Sequence, residues 1–352
     1  MRDHRVMEAV GTLLFAFCFA WCAAAGAQTA TPAPTPANTS PTAEAQRQVT
    51  QPLNNAPVWR EIRSGAPQTT TVVGRETNVL IQPQGETWRA VRNGQVAIYG
   101  GWALVVVLLA IAAFYWTKGA IELHEKPTGR KILRFTVLDR TVHWATAISF
   151  VILAVSGLIM FFGKALLLPL IGYTLFSWLA TLSKNLHNFV GPLFAVCIVI
   201  MIVHFVKDNL PARGDWEWLR RFGGVFSEHE VPSGKLNALE KLWFWAGACV
   251  LGIVVSAAGF VLDFANFNQT RETMQIANIV HSVGALLFML GAIGHIYIGT
   301  IGMTGAYEGM RHGYVDETWA KEHHKFWYDE VKAGKVAASG ARPSATTRQK
   351  PA

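Results

Sequence analysis

The chain has 352 residues, 51% of them hydrophobic and only 15% charged, where an ordinary soluble domain carries roughly 25% charged residues. That deficit excludes a disordered chain and argues against a soluble globule. The formal net charge of +8 does not imply nucleic acid, because the basic residues lie in short segments between apolar runs, which is a membrane topology pattern. No Asp, Glu, Lys or Arg occurs in 93–117, 141–163, 165–183, 185–206, 242–262 or 273–307, and about 20 uncharged residues are enough to cross a bilayer.

The N-terminus reads as a secretory signal over 1–27: Arg2 and Arg5, an apolar stretch from Val10 to Ala25, then Ala25, Gly26 and Ala27 as a small-residue cleavage site. Residues 28–58 are rich in Pro, Ala and Thr and are expected to be a disordered spacer. In 59–95 the stretch Trp59-Arg60-Glu61-Ile62-Arg63 recurs as Trp88-Arg89-Ala90-Val91-Arg92, with β-prone Thr71-Val72-Val73 and Val79-Leu80-Ile81 between the copies. We expect a small extracytoplasmic, β-containing segment there.

Five spans follow, at 96–116, 142–162, 186–206, 242–262 and 276–300. With the mature N-terminus outside, the inside segments 118–141, 207–241 and 303–352 hold twenty Lys and Arg, against three in 164–184 and 263–275. That is a strong positive-inside bias. The uncharged stretch 165–183 contains Pro169 and Gly172 and has only Lys164 and Lys184 at its ends, too little to turn two further hairpins, so it is expected to be interfacial or re-entrant. Of the four cysteines, Cys18, Cys22, Cys197 and Cys249, no two have CxxC spacing, so neither a zinc site nor a disulfide framework is indicated.

Five of the eleven histidines fall in the spans, at 143, 187, 204, 281 and 295, with no other acid or base beside them. A proton or ion pathway would place carboxylates or lysines there, whereas neutral imidazole is a common axial ligand of haem iron. His281 and His295 are 14 residues apart, which on a helix is about 21 Å along the axis and about 40° in azimuth. One face therefore offers two imidazoles at two depths. His187 matches the outer depth and His143 the inner, giving the pairs His187 with His281 and His143 with His295; His204 is an alternative inner ligand. Gly157, Gly191, Gly284, Gly291 and Gly294 lie near these histidines and suit either a close porphyrin or small-residue helix packing. His323 and His324 are adjacent, so on a helix they point apart rather than into one metal site; the tail there is expected to face water or a neighbouring subunit.

The motifs Asp139-Arg140-Thr141-Val142-His143-Trp144, Leu186-His187-Asn188-Phe189-Val190-Gly191, Ile279-Val280-His281, Gly294-His295-Ile296-Tyr297 and Trp319-Ala320-Lys321-Glu322-His323-His324-Lys325-Phe326-Trp327-Tyr328 resemble the dihaem cytochrome b (gamma) subunits of membrane-bound formate dehydrogenases. The resemblance covers about residues 130–332. It implies an all-α membrane protein: a four-helix transmembrane bundle at 130–302 binding two b-type haems, one additional N-terminal transmembrane helix and a cytoplasmic tail at 303–352. It also implies His143 and His295 at the inner haem, His187 and His281 at the outer, and no ligand role for His204. The implied partners are an iron-sulfur (beta) subunit and a molybdenum- or tungsten-containing catalytic (alpha) subunit that oxidises formate. Electrons would reach a membrane quinone near the cytoplasmic face of a bacterial inner membrane, with Asn237 as the quinone contact; Asn is equally suited to cap the helix that follows. The chain would be the quinone-reducing half of an oxidoreductase complex, without formate chemistry of its own. A hydrogenase cytochrome b subunit shares this plan, and a histidine-lined transporter is the alternative of a different class.

Overall fold

The computed structural model describes residues 56–64, 84–224, 231–267 and 269–334. The expected signal peptide, all but the end of the spacer, and the β-prone stretch 71–81 lie outside these residues. The elements are α1 (Ala56–Arg63), α2 (Gln84–Ala90), α3 (Ala97–Lys118), β1 (Lys131–Leu133), α4 (Val137–Leu166), α5 (Leu168–Phe205), α6 (Asp215–Arg220), α7 (Ala238–Trp243), α8 (Gly252–Asp263), α9 (Arg271–Tyr297), α10 (Ala306–His312), β2 (Tyr314–Asp316), α11 (Glu317–His323) and α12 (Lys325–Lys332). π-Helical stretches at Val91–Val96, Phe244–Leu251 and Ile298–Gly302 make α2 continuous with α3, join α7 to α8 and extend α9.

Among the described residues, five helices are long and apolar enough to cross a membrane: Gly85–Lys118, Val137–Leu166, Leu168–Phe205, Ala238–Asp263 and Arg271–Gly302. They coincide with the five expected spans and run beyond them, because a charge that ends an uncharged window need not end a helix. Thr136 and Asp139 form a capping box that starts α4, and Asn237 and Glu240 form another that starts α7. Thr270 caps α9 by accepting the Thr273 N–H. The acids are therefore parts of the helix ends.

The stretch 165–183, expected to be interfacial or re-entrant, forms the tip of a helical hairpin. It holds the end of α4, a turn, and the first turns of α5, with the backbone broken at Gly172 (φ 75°), a conformation glycine adopts at no steric cost. From Tyr173 to Phe205 the helix is about 50 Å long, beyond the roughly 30 Å of a hydrocarbon core. The exposed Tyr173 and Trp178 are the amphipathic rings that membrane interfaces favour. Both copies of the Trp-Arg repeat are helical, in α1 and in α2 with its π-helical extension; the expected β character is not found in the described part of 59–95.

At the other end of the bundle, β1 and β2 pair antiparallel, Ile132 opposite Val315, a small departure from an all-α chain. They bring the tail back onto the segments before α4 and α7. Trp319, Ala320 and Trp327 are buried there with Val315, so the tail is packed against its own chain rather than facing water. Arg134, 3% exposed, donates to Glu240 (3.0 Å), to the Lys235 carbonyl (2.8 Å) and to His324 Nε2 (3.1 Å). His324 Nδ1 in turn donates to the Gly234 carbonyl at 2.7 Å. Glu317, held by Lys332, Arg130 and Tyr328, is pulled down to about 2.

Burial first, and the Arg134 charge next, push His324 from 6.5 down to about 3. A depressed histidine favours the folded state only while neutral, so docking is complete above the unfolded value and weakens as pH falls toward the folded one, by up to ~1.4 kcal/mol per pH unit. A spin label at the exposed position 330 should be immobile at pH 7.5 and become mobile as the pH is lowered through 6 toward 4. The same label in His324→Leu should lose that pH dependence. Unchanged mobility down to pH 4 in the unsubstituted tail would refute the linkage.

Candidate haem-binding site

The bundle is two helical hairpins, α4 with α5 and α8 with α9; α8 also packs on α5, and α3 packs on the outside of α9. His143 is on α4, His187 on α5, and His281 and His295 are both on α9. The structure brings them together in two pairs. The His187 and His281 ring centroids are 6.0 Å apart, and those of His143 and His295 are 6.1 Å apart. Two imidazoles ligating one metal from opposite sides place their ring centres about 6 Å apart, from two metal–nitrogen bonds of about 2 Å and about 1 Å from each nitrogen to its ring centre.

The hydrogen bonds around the first pair fix which nitrogen is available. His281 Nδ1 donates to the Val255 carbonyl at 2.9 Å, which leaves Nε2 as the free base. His187 Nδ1 lies 2.9 Å from Ser156 Oγ, and that hydroxyl donates to the Ile152 carbonyl at 2.7 Å, so the imidazole donates to Ser156 and again keeps Nε2 for a ligand. An outer-shell partner of this kind orients a ligating histidine and raises its basicity. In the second pair, Trp243 stacks on His295 with centroids 5.6 Å apart and planes 20° apart, while His143 Nδ1 is buried without a hydrogen-bond partner.

Glycine allows the rings their positions. A Cβ added at Gly157 would lie 3.3 Å from His187 Cε1, and one at Gly259 would lie 3.3 Å from His281 Cε1, tighter than most packed contacts. Of the other glycines singled out from sequence, Gly284 and Gly291 are packing positions, against Val255 and Trp243, whereas a Cβ at Gly191 or Gly294 would meet no atom within 4 Å. Gly191 is one turn from His187 and so offers bare backbone beside the first pair.

Three phenylalanines separate the levels. Phe150, Phe194 and Phe288 lie seven residues beyond His143, His187 and His281, and their rings meet in the core at 4.7 to 6.2 Å. Two helical turns of spacing from each histidine brings them to one layer. This layer, Ser156, Gly259 and Trp243 were missed in the sequence; the common step of seven from histidine to phenylalanine was the signal that could have found the layer.

His204 belongs to neither pair. Its Nε2 is 2.6 Å from Asp139 Oδ1, which ties the end of α5 to the start of α4. Asn237 accepts the Leu239 and Glu240 N–H groups through Oδ1, both at 3.0 Å, as a helix cap. It starts the helix that carries Trp243, and so stands about 9 Å along the axis from the ring that stacks on His295. Cys197 and Cys249 are free, and among the described residues no group of three or more His, Cys, Asp or Glu could hold a bare metal ion. Two opposed imidazoles supply only axial ligands, which suits an iron whose other positions are filled by a macrocycle.

A membrane-crossing bundle with imidazole pairs at haem spacing defines a membrane cytochrome. Residues 134–313 match the prokaryotic cytochrome b561 family, and the chain belongs to that family. It is therefore an integral membrane protein with b-type haem. It is similar to the nitrate-inducible formate dehydrogenase cytochrome b556 subunit of Escherichia coli K12, 29% identical over 214 residues, covering 58% of this chain and 93% of the relative. A second formate dehydrogenase cytochrome b556 subunit of the same strain is 30% identical over 210 residues, 57% of this chain and 93% of the relative. The formate dehydrogenase cytochrome b556 subunit of Haemophilus influenzae is 25% identical over 216 residues, 58% and 86%.

Replacing Ser156 by alanine removes the acceptor of His187 Nδ1 without touching a ligand. Haem affinity should fall about tenfold, at the low end of outer-shell effects. His204→Gln should leave haem content unchanged. Haem per chain, measured as pyridine haemochrome after dilution into apoprotein acceptor, checks both; loss of haem in His204→Gln would restore that residue as a ligand.

Proposed function

We propose that the chain is the membrane-anchoring cytochrome b subunit of a formate dehydrogenase, holding two b haems and reducing a membrane quinone. The observation that carries this reading is the pair of imidazole pairs, 6.0 and 6.1 Å between ring centres, set at two depths on α9. The relatives' names, formate dehydrogenase cytochrome b556 subunits, support formate as the substrate of the complex; its partners in this reading are an iron-sulfur subunit and a molybdenum- or tungsten-containing catalytic subunit. The positive-inside count puts His187 and His281 toward the periplasm and His143 and His295 toward the cytoplasm of a bacterial inner membrane.

Bound haem would supply one-electron carriage at each level. His187 and His281, oriented by Ser156 and the Val255 carbonyl, would hold the haem nearer the electron donor. His143 and His295, backed by Trp243, would hold the one nearer the cytoplasm. Phe150, Phe194 and Phe288 keep water and lipid out of the space between. Asn237 keeps its Nδ2 donor while Oδ1 caps the helix, and that donor suits a quinone carbonyl. A quinone reduced there takes up two electrons and two protons; with protons drawn from the cytoplasm and electrons from outside, turnover is electrogenic.

Copurification from the native membrane should recover the two partner subunits, and formate should reduce the haems anaerobically. His281→Ala should lose one haem and block formate-driven reduction of the other. His295→Ala should keep a formate-reducible haem and abolish quinone reduction. Reduction by hydrogen but not by formate would assign the chain to a hydrogenase, and both haems intact in either variant would overturn the ligand pairs.

A further inference from the structure

The helical entry to the first span, 84–96, lies outside the residues 134–313 matched by the family, yet it packs on the two helices that flank the outer histidine pair. At one end, a Cβ on Gly85 would lie 3.5 Å from Gln275 Nε2 on α9. At the other, the Arg92 guanidinium lies over the Phe161 ring of α4, 4.6 Å from its centroid. Phe161 is one turn beyond Gly157, the residue on which the His187 ring rests. The segment therefore bridges α9 and α4 just outside His187 and His281.

Two donors on its inner side lack acceptors suited to them. Arg92 is partly buried, and its hydrogen bond goes to the amide oxygen of neighbouring Asn93 at 2.7 Å; among the described residues no carboxylate is within ion-pair distance of it. Trp88, one turn earlier, has its indole N–H buried without a partner. Arg89, on the exposed side of the same helix, is in contrast fully engaged with Glu86 at 2.7 Å. A half-buried guanidinium and, one turn before it, a buried indole N–H both have hydrogens left to donate to an anion with several acceptor oxygens. The propionate carboxylates of a haem held between His187 and His281 would be such an anion.

We propose that Trp88 and Arg92 bind the propionate carboxylates of the haem held by His187 and His281. The assignment rests on the two-haem reading above. Reduction removes one positive charge from the iron, so a fixed cation that offsets the propionate charge favours the reduced form. The N-terminal extension thereby raises the potential of the outer haem and leaves the inner one alone.

The test is an anaerobic optical redox titration of the intact purified complex. Arg92→Gln should lower the midpoint of one haem only. At the potential where that haem is half reduced in the unsubstituted protein, its reduced-to-oxidised ratio should fall about tenfold. Arg92→Lys should restore most of the ratio, and Trp88→Phe should lower it less, in the same haem. That haem must be the one lost in His281→Ala. Unchanged potentials in both Arg92→Gln and Trp88→Phe, or a shift confined to the haem that survives His281→Ala, would overturn the proposal. Retention of both haems in His281→Ala would instead overturn the ligand pairing on which it stands.

Discussion

The architecture depends on one helix carrying two imidazoles fourteen residues apart on nearly the same face. Once α9 offers His281 and His295 at two depths, every opposing residue is constrained. α5 must deliver His187 at one level and α4 must deliver His143 at the other, although both belong to a single hairpin and run in opposite directions. The antiparallel hairpin solves this: His143 is four residues from Asp139, which meets His204 at the end of α5, whereas His187 is 17 residues before His204 and so lies at the other level. α9 packs closely on α8 and α3 and meets α4 and α5 across the imidazole pairs. That leaves width between helices where a flat group can be clamped.

The same register builds the core. Because each of three ligand helices places a phenylalanine seven residues beyond its histidine, the rings of Phe150, Phe194 and Phe288 arrive together midway between the levels. Phe288 is seven residues from both histidines of α9. In lipid there is little hydrophobic gain in bringing helices together, so close packing must hold the levels apart. Ile198 meets Gly252, and Val255 meets Gly284, at distances that leave no room for a Cβ. Small residues and large rings alternate, and the two sites are kept as separate compartments along one axis.

Much of this was legible because membrane solvation leaves a coarse mark in sequence. Charge cannot sit unpaired in hydrocarbon, so uncharged windows located the five spans, and the histidines left inside them stood out. What was not legible depends on partners distant in sequence. Helix ends were drawn too short because the charges at Arg140, Lys241 and Glu272 end the uncharged windows, whereas the caps lie further out, at Thr136, Asn237 and Thr270. The hairpin tip at 165–183 looked like a separate segment because Lys164 and Lys184 bracket it, whereas the helix runs through Lys184 and the backbone breaks at Gly172. Both copies of the Trp-Arg repeat are helical, while the β-prone stretch 71–81 between them lies outside the described residues. The role of Ser156 was invisible, since its contact with His187 spans 31 positions. The return of the tail depends on three-residue strands whose paired residues are 181 to 185 positions apart.

The basic residues that signal topology also build the end of the molecule that they mark. Arg134 is buried against Glu240, His324 and the Trp319 ring, and Lys241, 7% exposed, is paired with Asp215 at 2.8 Å. Lys235 reaches Asp208, and Arg140 reaches the Arg311 carbonyl. A buried ion pair adds little net stability over an apolar pair, but removing one partner strands the other at a cost of several kcal/mol. Glu240 makes the consequence local, because its carboxylate both answers Arg134 and accepts the Asn237 N–H at 2.8 Å. The orientation of Asn237, the helix that carries Trp243, and hence the ring stacked on His295 are therefore tied to a cation whose partners include the tail. A basic segment selected only for topology could exchange Arg for Lys freely, whereas Arg134, with one terminal nitrogen shared among a carboxylate, a carbonyl and an imidazole and its plane against Trp319, could not.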